Sequence, residues 1–193
     1  VLLPLAGGKP RSVPLPSLRF SGAWGPDGSY WFNTIGISEL LRLSPADSLV
    51  PTPFPRERQA GLRVQQVLDD GRTALVIDAP ASRFSGPGLL LDLQTGARSP
   101  LIDGPAVNLY LAQGELIAVL SDGSVTATPF DERRRRLTGP AVQFTAGVSL
   151  NSSTAEFMIA PNGTMAFVQN SSPSLVLVQA DGAAETLLAE QAN

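Results

Sequence analysis

The chain has 193 residues, of which 43% are hydrophobic and 16% charged, and its formal net charge is −3. This composition is typical of a globular chain with a buried core and excludes intrinsic disorder. The acidic balance argues against nucleic acid as a partner, and no run of about 18 apolar residues is present that could span a membrane.

Short apolar runs alternate with polar turns along the whole chain, from GPDGSYWF at 25–32 to APNGTMAF at 160–167. Asp-Gly and Asn-Gly pairs favour tight hairpins, because both central positions can take positive φ. A third apolar run and a fourth, more polar run follow each hairpin. The hairpin glycines are 43, 43 and 49 residues apart, and they are Gly28, Gly71, Gly114 and Gly163.

Four antiparallel strands in each unit of about 43 residues are the sequence signature of a propeller blade. The sequence therefore predicts a single all-β domain over 1–193, a β-propeller or an open propeller segment. Residues 1–16 are interpreted as the last two strands of a partial blade, whose first strands would lie upstream. Four whole blades are predicted near 20–58, 61–103, 105–149 and 153–190.

The sequence offers little conventional catalytic chemistry. It contains no His and no Cys, which excludes the usual nucleophile–base pairs and thiolate or His/Cys zinc sites. Five aspartates fall in predicted turns, where such side chains bind their own backbone. Asp69 with Asp70 could alternatively bind a divalent cation through oxygen. The five turn aspartates are Asp27, Asp69, Asp70, Asp122 and Asp181. We expect no catalytic, cofactor-binding or metal site.

Two features suggest contact with a partner. Trp24 and Trp31 flank the first hairpin, where an exposed tryptophan would anchor a partner, although core packing between blades would also explain them. The run Arg133, Arg134, Arg135 and Arg136 is interpreted as solvated charge on an outer turn, which also blocks edge pairing. A contact to an acidic partner or an anionic headgroup is the alternative.

One stretch suggests a family. Residues 124–168 contain Pro-Phe-Asp at 129–131, Leu-Thr-Gly-Pro at 137–140 and Pro-Asn-Gly-Thr at 161–164. In this order the motifs resemble the TolB-like, WD-repeat-like propellers of bacteria, particularly those attached to serine/threonine protein kinases. No glycine-rich ATP loop or His-Arg-Asp motif occurs, so the resemblance does not extend to kinase activity.

The resemblance implies a location outside the cytoplasm, in the periplasm, and binding to other protein subunits. We therefore expect a non-catalytic interaction module without cofactor, an accessory subunit docked on the periplasmic side of a membrane-associated complex. The alternative is the sensor or ligand-binding ectodomain of a receptor-like kinase. Neither hypothesis makes the chain an enzyme; a hydrolase, by analogy with propellers attached to peptidases, is a third alternative for which the sequence shows no catalytic residues.

Overall fold

The computed structural model describes residues 9, 12, 19–34, 40–46, 48–52, 54, 59, 61–79, 83–151, 154–170, 174–179 and 183–189. Within these residues the regular structure consists of β-strands, which confirms the all-β prediction. Over the same residues we find no helix that is both long and apolar enough to cross a membrane. The predicted partial blade at 1–16 lies outside the described residues, except for Lys9 and Ser12.

The strands form four successive antiparallel units, which we call blades 1 to 4. Blade 1 contains β1 (Arg19–Trp24), β2 (Tyr30–Thr34), β3 (Leu40–Leu43) and β4 (Leu49–Pro51). Blade 2 contains β5 (Leu62–Val67), β6 (Thr73–Asp78), β7 (Gly86–Asp92) and the first part of β8 (Arg98–Ala112). Blade 3 contains the rest of β8 and β9 (Glu115–Leu120), β10 (Val125–Asp131), β11 (Arg136–Leu137) and β12 (Val142–Thr145). Blade 4 contains β13 (Phe157–Ile159), β14 (Met165–Val168), β15 (Ser174–Val178) and β16 (Ala184–Ala189).

Strand β8 belongs to two blades. Its first part pairs with β7 as the last strand of blade 2, and from Ala106 onward it pairs with β9 as the first strand of blade 3. Blades 2 and 3 are therefore one continuous hydrogen-bonded sheet, whereas blades 1 and 4 are separate four-stranded sheets.

The hairpin turns form at the glycines that the sequence indicates, and these glycines have positive φ. The hairpin glycines Gly28, Gly71, Gly114 and Gly163 have φ of 76°, 63°, 75° and 85°. At two tight turns an aspartate locks the backbone: Asp27 Oδ1 accepts hydrogen bonds from the Ser29 amide and hydroxyl, and Asp122 Oδ1 does the same with Ser124. The interpretation of Asp27 and Asp122 as turn-forming residues therefore agrees with the structure.

Apolar side chains fill the three interfaces between successive blades. Trp31 and Val64 are buried between blades 1 and 2, and Ile77 and Leu109 between blades 2 and 3. Phe157 belongs to the cluster between blades 3 and 4. Burying one such side chain contributes about 1.5–3 kcal/mol, so these interfaces hold the blades side by side.

A matched pair of glycines separates backbone strain from crowding. Gly114 and Gly123 have nearly equal φ, 75° and 79°, but an added Cβ at Gly123 would lie 2.7 Å from the Val148 carbonyl oxygen, while nothing lies within 4 Å at Gly114. We expect Gly114→Ala to lower the free energy of unfolding by about 1 kcal/mol. Gly123→Ala should cost about 1–3 kcal/mol more, measured by urea denaturation. Equal losses for the two variants would contradict this account.

Asp92 links stability to pH. Burial alone would raise its pKa, but hydrogen bonds from the Thr95 amide, the Arg72 guanidinium and the Gln94 amide outweigh burial and lower the pKa to about 2. The resulting stabilisation is present above the unfolded pKa of about 4 and is lost as the pH falls towards 2.

Asp92→Asn should therefore be less stable than the wild type by about 1 kcal/mol at pH 7, and the difference should shrink as the pH falls below 4. Urea denaturation at a series of pH values measures it. A difference that does not change with pH would refute this assignment.

Candidate functional site

A cleft of about 280 Å³ opens where blades 2, 3 and 4 meet. It lies at the end of the sheets that carries the β5–β6, β8–β9 and β13–β14 turns. The lining residues come from these turns, from the strands that lead into them and from the turn after β10, and they are Gln66, Leu68, Asp69, Tyr110, Leu111, Ala112, Gln113, Glu132, Ile159, Ala160 and Pro161. The cleft thus combines segments that are far apart in the sequence.

Two carboxylates line this cleft from different blades. Asp69 lies in the β5–β6 turn of blade 2, and Glu132 follows β10 in blade 3. Both residues are exposed, and within the described part of the chain neither carboxylate has a hydrogen-bond or ion-pair partner. Both groups are therefore available to accept or donate a proton, or to bind a ligand.

The neighbouring Asp70 has a different role from Asp69. Its Oδ1 accepts hydrogen bonds from the Arg72 and Thr73 amides at 2.9 and 2.7 Å, and its Oδ2 accepts one from the Thr73 hydroxyl at 2.7 Å. Arg135 of blade 3 forms an ion pair with Asp70 Oδ2 at 2.6 Å. Burial alone would raise the pKa of Asp70, but these hydrogen bonds and the Arg135 charge together lower it. Asp70 therefore fixes the turn and joins it to blade 3.

Two glutamines hold the walls of the cleft together. Gln66 Oε1 accepts a hydrogen bond from the Leu111 amide at 2.7 Å, and Gln66 Nε2 donates one to the Leu111 carbonyl at 3.3 Å. Gln113 Nε2 donates to the Pro161 carbonyl at 2.7 Å. Each glutamine binds the backbone of the following blade, so the width of the cleft is set by direct hydrogen bonds.

The phenol of Tyr110 lies deeper in the same region. Its hydroxyl donates to the Phe157 carbonyl at 3.0 Å and accepts from Asn108 Nδ2 at 3.2 Å. Burial raises the pKa of Tyr110, more than the Asn108 hydrogen bond lowers it. The phenol is therefore neutral at physiological pH and adds no charge to the cleft.

The two tryptophans lie in different environments. Trp24 is 56% exposed at the end of β1, with its ring 5.0 Å from that of Tyr30. Trp31 is 6% exposed in the core between blades 1 and 2, with the Arg42 guanidinium 5.5 Å from its ring centre. Trp24 therefore has the surface that a partner contact requires, while Trp31 packs in the core.

The arginine run follows β10: Arg133, Arg134 and Arg135 lie on the turn, and Arg136 is the first residue of β11. All four residues are exposed. Arg134 pairs with Asp131 at 3.3 Å within the turn, and Arg135 makes the ion pair to Asp70 described above. At least two of the four charges are thus used inside the chain, one of them to join blade 3 to blade 2.

Sequence reasoning missed the grouping of the cleft residues. Glu132 belongs to no motif recognisable in the sequence, and the sequence predicts that Asp69 binds its own turn. Of these two adjacent aspartates, only Asp70 binds the turn backbone, so Asp69 and Asp70 do not form a pair of free ligands for a cation. Asp181 lies outside the described residues. A usable signal existed: at Asp27, Asp70 and Asp122 the aspartate that binds the turn directly precedes a glycine, and Asp69 lies one position earlier.

The Gln66 pair of hydrogen bonds can be tested by substitution. Gln66→Leu leaves both backbone groups of Leu111 without their partner, so the free energy of unfolding should fall by about 1–3 kcal/mol. Gln65→Leu is the matched control, since the Gln65 amide makes only long hydrogen bonds of 3.5 and 3.4 Å. Thermal denaturation of both variants measures the difference. A smaller loss for Gln66→Leu than for Gln65→Leu would contradict this role.

No protein-family model and no curated protein sequence matches the chain. Solved structures do match. Gluconolactonase from Xanthomonas campestris is 14% identical with a TM-score of 0.59, and the match covers 87% of this chain and 61% of that one. Regucalcin from Agrobacterium tumefaciens, described as a calcium-binding protein, is 12% identical with a TM-score of 0.58, and the match covers 91% and 60%. Virginiamycin B lyase from Staphylococcus aureus is 9% identical with a TM-score of 0.53, and the match covers 87% and 54%.

These matches correct the functional prediction. The prediction of a non-catalytic interaction module, and of a protein that is not an enzyme, is wrong, because the propeller-like structures that it resembles include a lyase and a gluconolactonase. That prediction rested on the absence of His and Cys and on the assignment of the aspartates to turns, and neither observation excludes proton transfer by carboxylates. The matches support neither TolB-like nor kinase-associated character specifically. The chain spans between half and two thirds of the length of the three structures named above, and what it shares with them is a propeller-like fold.

Proposed function

We propose that this chain forms part of a propeller enzyme that cleaves a small molecule in the cleft between blades 2, 3 and 4 by general acid–base catalysis. One observation carries the proposal: Asp69 and Glu132 reach the same cleft from different blades, and neither is engaged by another described residue. The carboxylates next to these two in the sequence are occupied, Asp70 by Arg135 and Asp131 by Arg134.

Hydrolysis of a lactone requires only proton transfer and the positioning of one water molecule from these two carboxylates. One carboxylate takes a proton from water while the water oxygen bonds to the lactone carbonyl carbon. The ring C–O bond then breaks, and the same carboxylate returns that proton to the leaving alkoxide oxygen, while the second carboxylate orients the water by accepting a hydrogen bond from it. The product is the open hydroxy acid, and both carboxylates end the cycle as they began. Positioned acid–base groups contribute about 10²–10⁴-fold each to such reactions.

The rigid frame around the cleft supports this role, because catalytic groups act well only when their geometry is fixed in advance. The Gln66–Leu111 and Gln113–Pro161 hydrogen bonds hold the three blades at a fixed spacing. The Arg135–Asp70 ion pair joins the turn that carries Glu132 to the turn that carries Asp69. The similarity to a gluconolactonase and to lyases adds a reason to test bond cleavage first.

Three expectations from the sequence belong to the same proposal. TolB-like character and a location outside the cytoplasm rest on the motifs within 124–168. Contact with other protein subunits rests on Trp24, whose exposed ring offers an anchor. The activity of the whole protein is also a proposal, since the chain spans only part of the length of the enzymes that it resembles.

Turnover of a lactone panel tests the proposal. We expect the wild type to hydrolyse at least one member of a set that includes D-glucono-1,5-lactone and α-amino-γ-butyrolactone, above the spontaneous rate in a pH-stat. Asp69→Asn and Glu132→Gln should each lower kcat by about 10²-fold or more.

Glu115→Gln is the matched control, because Glu115 is exposed near the same turns but does not line the cleft. It should retain wild-type turnover, and circular dichroism should show that all three variants keep the fold. Absence of turnover across the panel, or full activity in Asp69→Asn and Glu132→Gln, would refute the proposal.

A further inference from the structure

We infer that the cleft between blades 2, 3 and 4 selects organic cations, so that the molecule bound there carries a protonated amine or a quaternary ammonium group. This inference deepens the proposed function and rests on it for the use of the cleft as the substrate site.

The charge of the lining is the first argument. Its two ionisable carboxylates are Asp69 and Glu132, and no arginine or lysine is among the residues that line it. The other polar side chains are the amides of Gln66 and Gln113 and the phenol of Tyr110, which are neutral and bound to backbone carbonyl or amide groups. A ligand that enters this space meets two carboxylates and no cationic side chain of the lining, which favours a cation over an anion.

The arginines nearby lie outside the lining of the cleft. Arg135 is paired with Asp70 at 2.6 Å, and Arg134 with Asp131 at 3.3 Å, so each of these positive charges already faces its own carboxylate. Arg133 on the turn and Arg136 at the start of β11 are exposed, where solvent and salt screen their charge. Asp69 and Glu132 are therefore the charged side chains that a ligand in the cleft contacts directly.

The apolar part of the lining favours an organic cation over a bare metal ion. Leu68, Leu111 and Ile159 line the cleft beside the carboxylates, and the Tyr110 ring adds an aromatic surface. Calcium takes about six to eight oxygen ligands, and among the described residues no group of three or more acidic, His or Cys side chains lies close enough to hold a metal. An ammonium group on an apolar body satisfies both kinds of surface, because aromatic rings and carboxylates each attract it.

Three probes of one shape test the charge preference directly. Tyramine, 4-ethylphenol and 4-hydroxyphenylacetate share a phenol ring and differ in the charge of the side chain, which is positive, neutral and negative. Each is titrated into the wild-type protein and followed by ¹H–¹⁵N NMR. We expect tyramine to bind in the millimolar range or better, at least about tenfold more tightly than 4-ethylphenol, with no binding of the acid.

The variants assign this preference to the two carboxylates. Asp69→Asn and Glu132→Gln should each weaken tyramine binding by about threefold or more, and the double variant should bind tyramine and 4-ethylphenol alike. Glu115→Gln should bind as the wild type does, and added salt should weaken tyramine binding selectively. Failure of tyramine to bind, equal binding of the three probes, or a cation preference that survives in the double variant would each overturn the inference.

The binding experiment and the lactone assay can fail independently of each other. Cation-selective binding with no turnover of any lactone would refute the catalytic proposal and leave the ligand class intact. Turnover of D-glucono-1,5-lactone that depends on Asp69 and Glu132, without any preference for tyramine, would do the reverse.

Discussion

The structure depends on side-chain amides that bind the backbone of the following blade. The first strands of blades 2 and 4 lie at sheet edges, and β8 beyond Ala106 pairs only with β9, so the outward N–H and C=O groups of these segments need partners. Asn33 Oδ1 accepts from the Val64 amide at 3.1 Å, and Asn108 Oδ1 accepts from the Ala155 amide at 3.0 Å. Gln66 makes the equivalent contact from blade 2 to blade 3 and satisfies both an N–H and a C=O group. Apolar packing brings the blades together, and these directional contacts fix how they are aligned.

The candidate site is a product of that alignment. Asp69 and Glu132 lie 63 positions apart in the sequence, and each belongs to a turn held by its own hydrogen bonds. They share a cleft because the turns of blades 2 and 3 lie side by side, joined by the Arg135–Asp70 ion pair. The two adjacent aspartates have different roles. Asp70 stabilises the turn through its hydrogen bonds, and the carboxylate of Asp69 has no partner among the described residues and remains available to a ligand.

The sequence predicted what local chemistry determines. Glycine at positive φ and an aspartate that bonds to the backbone two residues later are properties of four or five residues, so the hairpin at Gly28 and its repeats were readable, and with them the all-β fold. The cleft could not be read in this way, since its composition follows from which turns become neighbours. Trp24 and Trp31 show the same limit: both flank one hairpin, and only the packing of blade 1 on blade 2 decides that one is exposed and the other buried.

The continuous strand β8 has a consequence for how this molecule opens. Because Arg98–Ala112 closes one sheet and begins the next, the backbone hydrogen bonds of blades 2 and 3 cannot be lost independently. These two blades should form a single cooperative unit in native-state hydrogen exchange. Blade 1 is joined to it through side chains, and blade 4 through side chains and a few backbone hydrogen bonds of residues 147–149, so each can open as a smaller unit at lower free energy. The cleft lies partly inside the cooperative unit and partly on blade 4, so opening of blade 4 alone would expose the site while the turns that carry both carboxylates stay folded.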